Sequence, residues 1–224
     1  SAINVDATIK LAKLAIKNKV KKFIFVSSVK AGGRPLKNRC LDENYQSEPD
    51  GLYGRTKKEA EVKLMDLCKN TSMRVVIIRP SLVYGNGMKG NLKLMFLGVQ
   101  KGWFPPLPKI NNKRSMVHVD DLVQSLILVS MDKKANDETF IVTDGQPHSS
   151  REIYETMCKL IDKKIPFWSL PKWVFRFSIF LNKSLRYRIE KLIGDEWYSS
   201  KKIEEIGFKP IKTIKNLNEN EKIL

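Results

Sequence analysis

The sequence has 224 residues, 42% of them hydrophobic, so it is long enough to bury a sizeable core in one large domain or two small ones. It contains no run of about 20 apolar residues, which argues against an integral membrane segment. The net charge of +17 reflects lysines spread along the whole chain, without a nucleic-acid-binding motif. An acidic small-molecule ligand is therefore favoured over nucleic acid as the partner, and contact with anionic lipid is a further alternative.

Helix and strand patterns alternate along most of the chain. In chain order we predict a helix over 3–18, a strand over 23–26, a helix over 52–70, a strand over 74–78, a helix over 91–101, strands over 115–119 and 139–142, and a helix that Ser149 or Ser150 caps and that continues to 161. Unbroken apolar strands are typical of a parallel sheet buried on both faces. Beyond residue 146 the pattern becomes helical, which indicates an α/β fold with a smaller second lobe.

The three cysteines, Cys40, Cys68 and Cys158, are widely separated and form no CxxC pair. This odd, scattered set argues against a disulfide framework and against a thiolate metal site, so we predict no bound metal. Cysteines of this kind are typical of a reducing compartment, and we expect a cytoplasmic protein.

Two polar residues at the predicted strand–helix junction near residue 118 invite a catalytic role. His118 lies within an apolar strand, where a structural imidazole hydrogen-bonded in the sheet is the better interpretation. Asp120 is better placed to cap a helix that starts at Asp121 than to act as a base.

An aromatic segment rich in basic residues follows the last predicted helix. It carries Trp173, Phe175, Phe177 and Phe180. Packing of the second lobe is the favoured explanation, and a substrate lid or a membrane-surface contact is the alternative.

One helix and the preceding strand carry residues suited to proton transfer. Tyr53 and Lys57 are one turn apart, so both project from one face of the predicted helix, and an ammonium near a phenol lowers the pKa of that phenol. Ser27 and Ser28 follow the strand over 23–26, where parallel sheets bind ligands. The alternative is an ordinary helix with a half-buried Tyr and a solvated Lys, beside serines that satisfy loop backbone groups.

Several motifs occur in a fixed order along nearly the whole chain. They are Asn4 to Thr8, Ser27-Ser28 after a strand, Tyr53-Gly54-Arg55-Thr56-Lys57, Arg79 to Gly87, Lys113 to Leu122, and Ile206 to Pro210. In this order they resemble extended short-chain dehydrogenases of the NAD-dependent epimerase/dehydratase family. The run Ser27-Ser28-Val29-Lys30 and the segment from Met88 to Leu92 resemble most closely its UDP-glucose 4-epimerase-like branch.

The resemblance implies a role for each matching residue. As catalytic residues it implies Ser28, Tyr53 and Lys57; as cofactor-binding residues Asn4, Ser27, Tyr53, Lys57 and Pro80; and as substrate-binding residues Ser28, Asn91 and Arg114. It also implies a partial Rossmann fold, a doubly wound parallel sheet over 1–88 and 112–145. A smaller, mostly helical substrate lobe would comprise 89–111 and 146–224.

The function implied by the resemblance is epimerisation at C4 of a UDP-hexose with NAD, and NADP stays open. One alternative is a reductase of UDP-linked 4-keto sugars for surface polysaccharide synthesis. An alternative of another class is a non-catalytic nucleotide-sugar-binding module. The resemblance also implies a homodimer formed through the helices over 3–18 and 52–70.

One family feature has no match in this sequence. The family's glycine-rich GxxGxxG turn, which lets the backbone approach the cofactor pyrophosphate, does not precede Asn4. We therefore expect an N-terminally truncated chain, which by itself would bind dinucleotide poorly.

Overall fold

The computed structural model describes residues 2–171, 173 and 189–217, and the side chains of residues 2–4 fall outside that description. The helices are α1 (Ala2–Lys17), α2 (Gly51–Cys68), α3 (Gly90–Lys101), α4 (Val119–Met131), α5 (Ser150–Lys159) and the short α6 (Lys201–Glu204). The strands are β1 (Lys22–Val26), β2 (Arg74–Pro80), β3 (Leu82–Tyr84), β4 (Arg114–His118), β5 (Thr139–Val142) and β6 (Pro147–His148). Every helix and strand predicted from the sequence is present, with ends that shift by one to a few residues.

The main sheet is parallel and has the strand order β1-β2-β5. Its central strand β2 is buried on both faces. Val75 and Ile77 pack in the same core as residues of α1 and α2. Val76 and Ile78, which point the other way along the strand, pack in a core that includes Val129 of α4. Helices thus cover both faces of a parallel sheet, and the predicted doubly wound α/β architecture of the Rossmann type is confirmed.

A second small sheet joins this layer to a separate hydrophobic core. Strand β3 pairs with β4 in parallel, and β4 pairs with β6 in antiparallel orientation. The core beside this sheet is built largely from α3 and α5, through residues such as Phe96, Val99, Tyr154 and Met157. The sequence did not predict β3 and β6, because strands of three and two residues are too short to show a period.

The capping of α4 corrects one prediction. The helix begins at Val119 rather than Asp121, and its cap is His118, whose Nδ1 accepts a hydrogen bond from the Asp120 backbone N–H at 3.1 Å. The Asp120 carboxylate instead pairs with Lys212 at 3.0 Å. His118 is buried with its ring edge-on to Tyr84, which confirms the predicted structural role of this imidazole. The predicted hydrogen bond within the sheet was wrong, because the ring accepts from the helix backbone instead.

The start of α5 confirms the other predicted cap. The Ser149 hydroxyl accepts from the Glu152 backbone N–H at 3.1 Å, and the Glu152 carboxylate accepts from the Ser149 N–H at 2.7 Å. This reciprocal pair satisfies two N–H groups that a bare helix end would leave open.

The aromatic segment after residue 171 lies outside the described residues, apart from the exposed Trp173. Among the residues that are described, no helix combines the length and the apolar composition needed to cross a bilayer.

Candidate active site

The carboxyl ends of the three parallel strands meet at one edge of the main sheet. The Ser27 N–H donates to the Ile78 carbonyl at 2.7 Å, and the Ser81 N–H donates to the Val142 carbonyl at 3.1 Å. The hydroxyls of Ser27 and Ser81 are buried and have no hydrogen-bond partner among the described residues. Two buried hydroxyls without partners at a strand edge indicate a place where a ligand's polar groups fit.

Helix α2 brings Tyr53 and Lys57 to this edge. The Lys57 Nζ donates to the carbonyl of Val26, the last residue of β1, at 2.8 Å. It also lies 4.8 Å from the centre of the Phe25 ring and 5.9 Å from the centre of the Tyr53 ring. The Tyr53 side chain is 51% exposed and therefore accessible to a ligand. The structure thus places the predicted pair close together on α2, with the Lys57 ammonium at the end of β1 and near the Tyr53 ring.

Gly54 fixes the start of α2 against the loop that carries Ser28. A Cβ at this glycine would lie 2.5 Å from the Lys30 carbonyl oxygen, closer than any side chain permits. The Asp50 N–H donates to the same carbonyl at 3.0 Å. The half-buried Ser28 uses its hydroxyl to accept from the Lys30 N–H at 3.3 Å. Sequence reasoning assigned Gly54 no role, although a glycine inside a helix, which costs about 1 kcal/mol relative to alanine, was an available clue.

The pKa of the phenol moves opposite to the expected direction. Partial burial raises the pKa of Tyr53 above its ordinary value. Burial also lowers the pKa of Lys57, and the Glu61 carboxylate opposes that change. Burial therefore outweighs the lowering of the Tyr53 pKa that was expected from Lys57. A second positive charge near the phenol would favour the phenolate.

A buried ion pair supports α2 one turn beyond Lys57. The Glu61 carboxylate accepts two hydrogen bonds from the Arg79 guanidinium, at 2.9 and 2.6 Å. Both side chains are at most 4% exposed. The pair ties α2 to the end of β2, the strand that also carries Pro80. Sequence reasoning missed this pair, because nothing local connects positions 61 and 79.

Arg114, the arginine predicted to bind the substrate diphosphate, forms an ion pair within the protein. Arg114 donates to the Glu196 carboxylate at 2.9 Å and to the Lys191 carbonyl. Lys191 in turn pairs with Glu196 at 3.0 Å and with Asp50, the residue that precedes α2. We call Asp50, Lys191, Glu196 and Arg114 the charge network.

Within the charge network, the neighbouring charges favour the charged forms of Glu196 and Lys191. Burial pushes the pKa of Glu196 upward, but Arg114 and Lys191 outweigh burial and bring that pKa below its ordinary range. Burial pushes the pKa of Lys191 downward, but Glu196 and Asp50 outweigh burial and raise it.

A cavity of about 760 Å³ opens beside the charge network. Its wall includes Asp50 and Gly51 at the start of α2, together with Lys191 and Glu196. Tyr53 is not part of this wall but follows Gly51 by two positions. The volume lies within the range of about 300–1,000 Å³ that is usual for small-molecule sites. The cavity therefore opens at the start of α2, the helix that carries Tyr53 and Lys57.

Of the remaining predicted site residues whose side chains are described, only Pro80 lies at this sheet edge. It is buried at the end of β2, in register with Val142. Asn91 is exposed in the first turn of α3. Asn4 belongs to α1, but its side chain is outside the described part of the chain. The structure thus groups Ser27, Ser28, Tyr53, Lys57 and Pro80 at one sheet edge, and places Arg114 in the charge network.

Two curated relatives cover most of this chain. A UDP-glucose 4-epimerase of Vibrio cholerae is 38% identical over 182 residues, which cover 80% of this chain and 54% of that protein. The N-acetyl-alpha-D-glucosaminyl-diphospho-ditrans,octacis-undecaprenol 4-epimerase of Escherichia coli O157:H7 is 28% identical over 171 residues, which cover 75% of this chain and 51% of that protein. The chain therefore spans about half the length of these relatives.

A solved structure and a family model agree with these relatives. The UDP-glucose 4-epimerase of Thermotoga maritima, solved with UDP-glucose, has a TM-score of 0.71 and 21% identity over 96% of this chain and 66% of that chain, a likeness that shows the fold. The family model described as "NAD dependent epimerase/dehydratase family" matches residues 1–142, more than half of this chain. The chain therefore belongs to the NAD-dependent epimerase/dehydratase family of enzymes.

Proposed function

We propose that the protein to which this chain belongs is an NAD-dependent 4-epimerase of a diphosphate-linked hexose, with a UDP-hexose as its substrate. The observation that carries the proposal is the position of the Lys57 ammonium, which contacts the carbonyl at the end of β1 and lies 5.9 Å from the centre of the Tyr53 ring. The names of the two relatives agree on epimerisation at C4 of a hexose attached through a diphosphate.

The residues at the sheet edge fit the nicotinamide end of NAD. The partnerless hydroxyls of Ser27 and Ser81 and the ammonium of Lys57 offer hydrogen bonds to the ribose and amide groups of such a ligand. Asn4 and Pro80 are the further cofactor-binding residues that we propose. When bound, NAD supplies a hydride acceptor and, in its oxidised form, a positive charge.

Tyr53 is the proposed acid–base residue. Its phenolate accepts the proton of the sugar C4 hydroxyl while Ser28 donates a hydrogen bond to the same oxygen. Partial burial opposes this ionisation, since it raises the pKa of Tyr53. Two positive charges close to the phenol, Lys57 and the oxidised cofactor, would lower that pKa in the loaded enzyme.

The substrate diphosphate is proposed to bind at the charge network. Arg114 has the fork of N–H donors that matches a diphosphate, but it can accept this ligand only by giving up Glu196. The neighbouring cavity of about 760 Å³ has room for the nucleoside. Asn91, exposed at the first turn of α3, is the further substrate-binding residue that we propose.

The two cores fit the proposed division of the chain. The parallel sheet, with α1, α2 and α4, would form the cofactor-binding domain over 1–88 and 112–145, and the core of α3 and α5 would belong to the substrate lobe over 89–111 and 146–224. We place the reaction in the cytoplasm, where the three free cysteines would stay reduced.

Apolar side chains on two neighbouring helices support the proposed homodimer. Leu11 and Leu14 of α1 and Val62 of α2 are each more than half exposed, while the two helices pack against one another through their other faces. A second copy would cover these side chains.

The deciding experiment uses the complete gene product with UDP-galactose and NAD but no reductant. Conversion to UDP-glucose supports the epimerase. Net consumption of NADH or NADPH on a UDP-4-keto sugar, without epimerisation, would replace it with a reductase. UDP binding by calorimetry without any turnover would indicate a non-catalytic module.

A matched pair of tyrosine variants tests the assignment within the site. Tyr53→Phe removes the proton-transferring group and should lower kcat by about 10²–10⁴-fold. Tyr45→Phe is the control, because this phenol only donates to the Arg34 carbonyl at 3.1 Å. Its kcat should stay close to the wild-type value. Retained turnover in Tyr53→Phe would remove Tyr53 from the proposed role.

A further inference from the structure

Three large aromatic side chains are exposed in neighbouring loops of the α3–α5 region. Phe167 is fully exposed, Trp103 is 60% exposed and Trp168 is 51% exposed. We call these three residues the aromatic surface. Exposing so much apolar area to water is unfavourable, and in a soluble domain it marks a contact site when the residues lie together.

The loops that carry the aromatic surface are fixed to one another. The Lys163 Nζ donates to the Val99 carbonyl near the end of α3 at 2.6 Å. The Leu170 N–H donates to the Pro106 carbonyl at 3.1 Å. The segment over 163–170, with Phe167 and Trp168, is therefore held at both ends against the end of α3 and the loop that begins with Trp103.

A turn at the end of α3 directs one aromatic inward and its neighbour outward. Gly102 adopts a left-handed conformation (φ 80°) and ends the helix. Phe104 stacks on Tyr154 of the core, with ring centres 6.2 Å apart. Trp103, which precedes it, stays in solvent. The exposure of Trp103 thus follows from an ordered turn.

The charge around the aromatic surface is positive. Lys101 and Lys164 are exposed beside Trp103 and Phe167. In the described part of the 163–170 segment, Lys163 and Lys164 outnumber Asp162, the exposed acidic residue that precedes them. A partner that covers this surface must therefore accept both aromatic rings and a net positive charge.

We propose that the aromatic surface docks this protein on the headgroup region of an anionic lipid bilayer. Tryptophan favours this region, because its ring is apolar while its N–H can still meet polar groups. Lysines next to the rings gain attraction from anionic headgroups. A second copy of this chain is a poorer occupant, because like charges would face each other. Single-stranded nucleic acid is also a poorer fit, because the exposed Ile165 within the same loop offers no stacking face.

Vesicle co-sedimentation tests the proposal directly and needs no catalytic activity. The chain is mixed with vesicles of phosphatidylcholine alone, or of phosphatidylcholine with phosphatidylglycerol, at low and at high salt. We expect binding to the anionic vesicles, weakened by salt, together with a blue shift of tryptophan fluorescence. Absence of binding to the anionic vesicles, or equal binding to neutral ones, would overturn the proposal.

Three variants localise the contact. Phe167→Ala with Trp168→Ala should weaken binding to anionic vesicles about tenfold or more, because two apolar anchors are lost. Lys101→Ala with Lys164→Ala should weaken it about fivefold for each lysine. The matched control is Met131→Ala with Lys133→Ala and Lys134→Ala, which removes an exposed apolar side chain and two lysines at the end of α4. The loss of vesicle affinity in this control should not exceed the nonspecific effect of removing two positive charges. It should be well below the loss in either test variant.

Competing occupants give different outcomes in the same set of proteins. Equal losses in the control and in the test variants would overturn the assignment to the aromatic surface. A concentration-dependent dimer that Phe167→Ala with Trp168→Ala abolishes, without vesicle binding, would show that a second copy covers it. Tighter binding to a single-stranded oligonucleotide than to anionic vesicles would show that the aromatic surface binds nucleic acid, and would overturn the proposal. Far-UV circular dichroism and the thermal midpoint establish that each variant is folded.

Discussion

The two sides of the candidate active site differ in how fully their polar groups are satisfied. At the sheet edge, the hydroxyls of Ser27 and Ser81 lack partners among the described residues, and Tyr53 is half exposed. In the charge network, Arg114 and Glu196 are each held by ionic contacts. A ligand can therefore satisfy open groups at the sheet edge, whereas at the charge network it must replace an existing carboxylate.

This difference changes how a motif arginine should be interpreted. A guanidinium that matches a substrate-binding motif need not be an unoccupied charge. If the diphosphate binds here as proposed, the affinity of Arg114 for it is the difference between two ion pairs, one with the ligand and one with Glu196. Specificity at the proposed site would then depend on Glu196 and Lys191 as much as on Arg114.

The largest effect on stability is expected at the buried pair beneath the sheet edge. Arg79→Met leaves the Glu61 carboxylate at 4% exposure without its cation, and should lower the free energy of unfolding by about 3–5 kcal/mol. Urea denaturation measures the change. The control is Arg74→Met, whose guanidinium pairs with Asp137 at the surface and should cost less than about 1 kcal/mol. Equal losses in the two variants would mean that the buried pair does not support α2.

A smaller effect is expected in the charge network, where it should depend on pH. Glu196→Gln should lower the free energy of unfolding by about 2 kcal/mol at neutral pH, because Arg114 loses its counter-charge while Lys191 keeps Asp50. The folded pKa of Glu196 is below its ordinary value, so its contribution is complete above about pH 4.5 and disappears as the pH falls through the folded pKa. The wild-type chain should lose this stability in acid, and the variant should not.

The same variant tests the competition for Arg114. A neutral glutamine no longer opposes an anion, so UDP should bind Glu196→Gln about tenfold more tightly in calorimetry. The control is Glu59→Gln, whose carboxylate pairs with Lys63 on the surface of α2. Its stability and UDP affinity should match those of the wild type. Unchanged UDP affinity in Glu196→Gln would place the diphosphate away from the charge network.

The features that the sequence predicts correctly are local ones. Tyr53 and Lys57 lie one turn apart on a helix whose pattern is visible over many residues, so their common face follows from spacing alone. The apolar runs of β1 and β2 indicate buried parallel strands for the same reason.

The features that the sequence misses depend on packing. Glu61 meets Arg79 only because α2 lies on β2, and Lys191 meets Asp50 across 141 positions of sequence. The sequence also predicts the wrong direction for the Tyr53 pKa shift, because spacing shows that Lys57 is near but not how far burial raises the pKa of the phenol.

The smallest effect on stability is expected at Ser27. The sign of the change in unfolding free energy distinguishes a hydroxyl that is available to a ligand from one that is bonded within the protein. A buried hydroxyl without a partner costs about 1–3 kcal/mol of desolvation, so Ser27→Ala should leave the unfolding free energy unchanged or raise it by about 1 kcal/mol. Ser115 is the matched control, because its hydroxyl is equally buried but donates to the Tyr198 carbonyl at 3.2 Å and accepts from the Tyr198 N–H at 2.9 Å. Ser115→Ala should therefore lose about 1–2 kcal/mol in urea denaturation. Should Ser27→Ala lose as much as Ser115→Ala, its hydroxyl would have a structural partner, and the sheet edge would not hold an open hydrogen-bonding group for the cofactor.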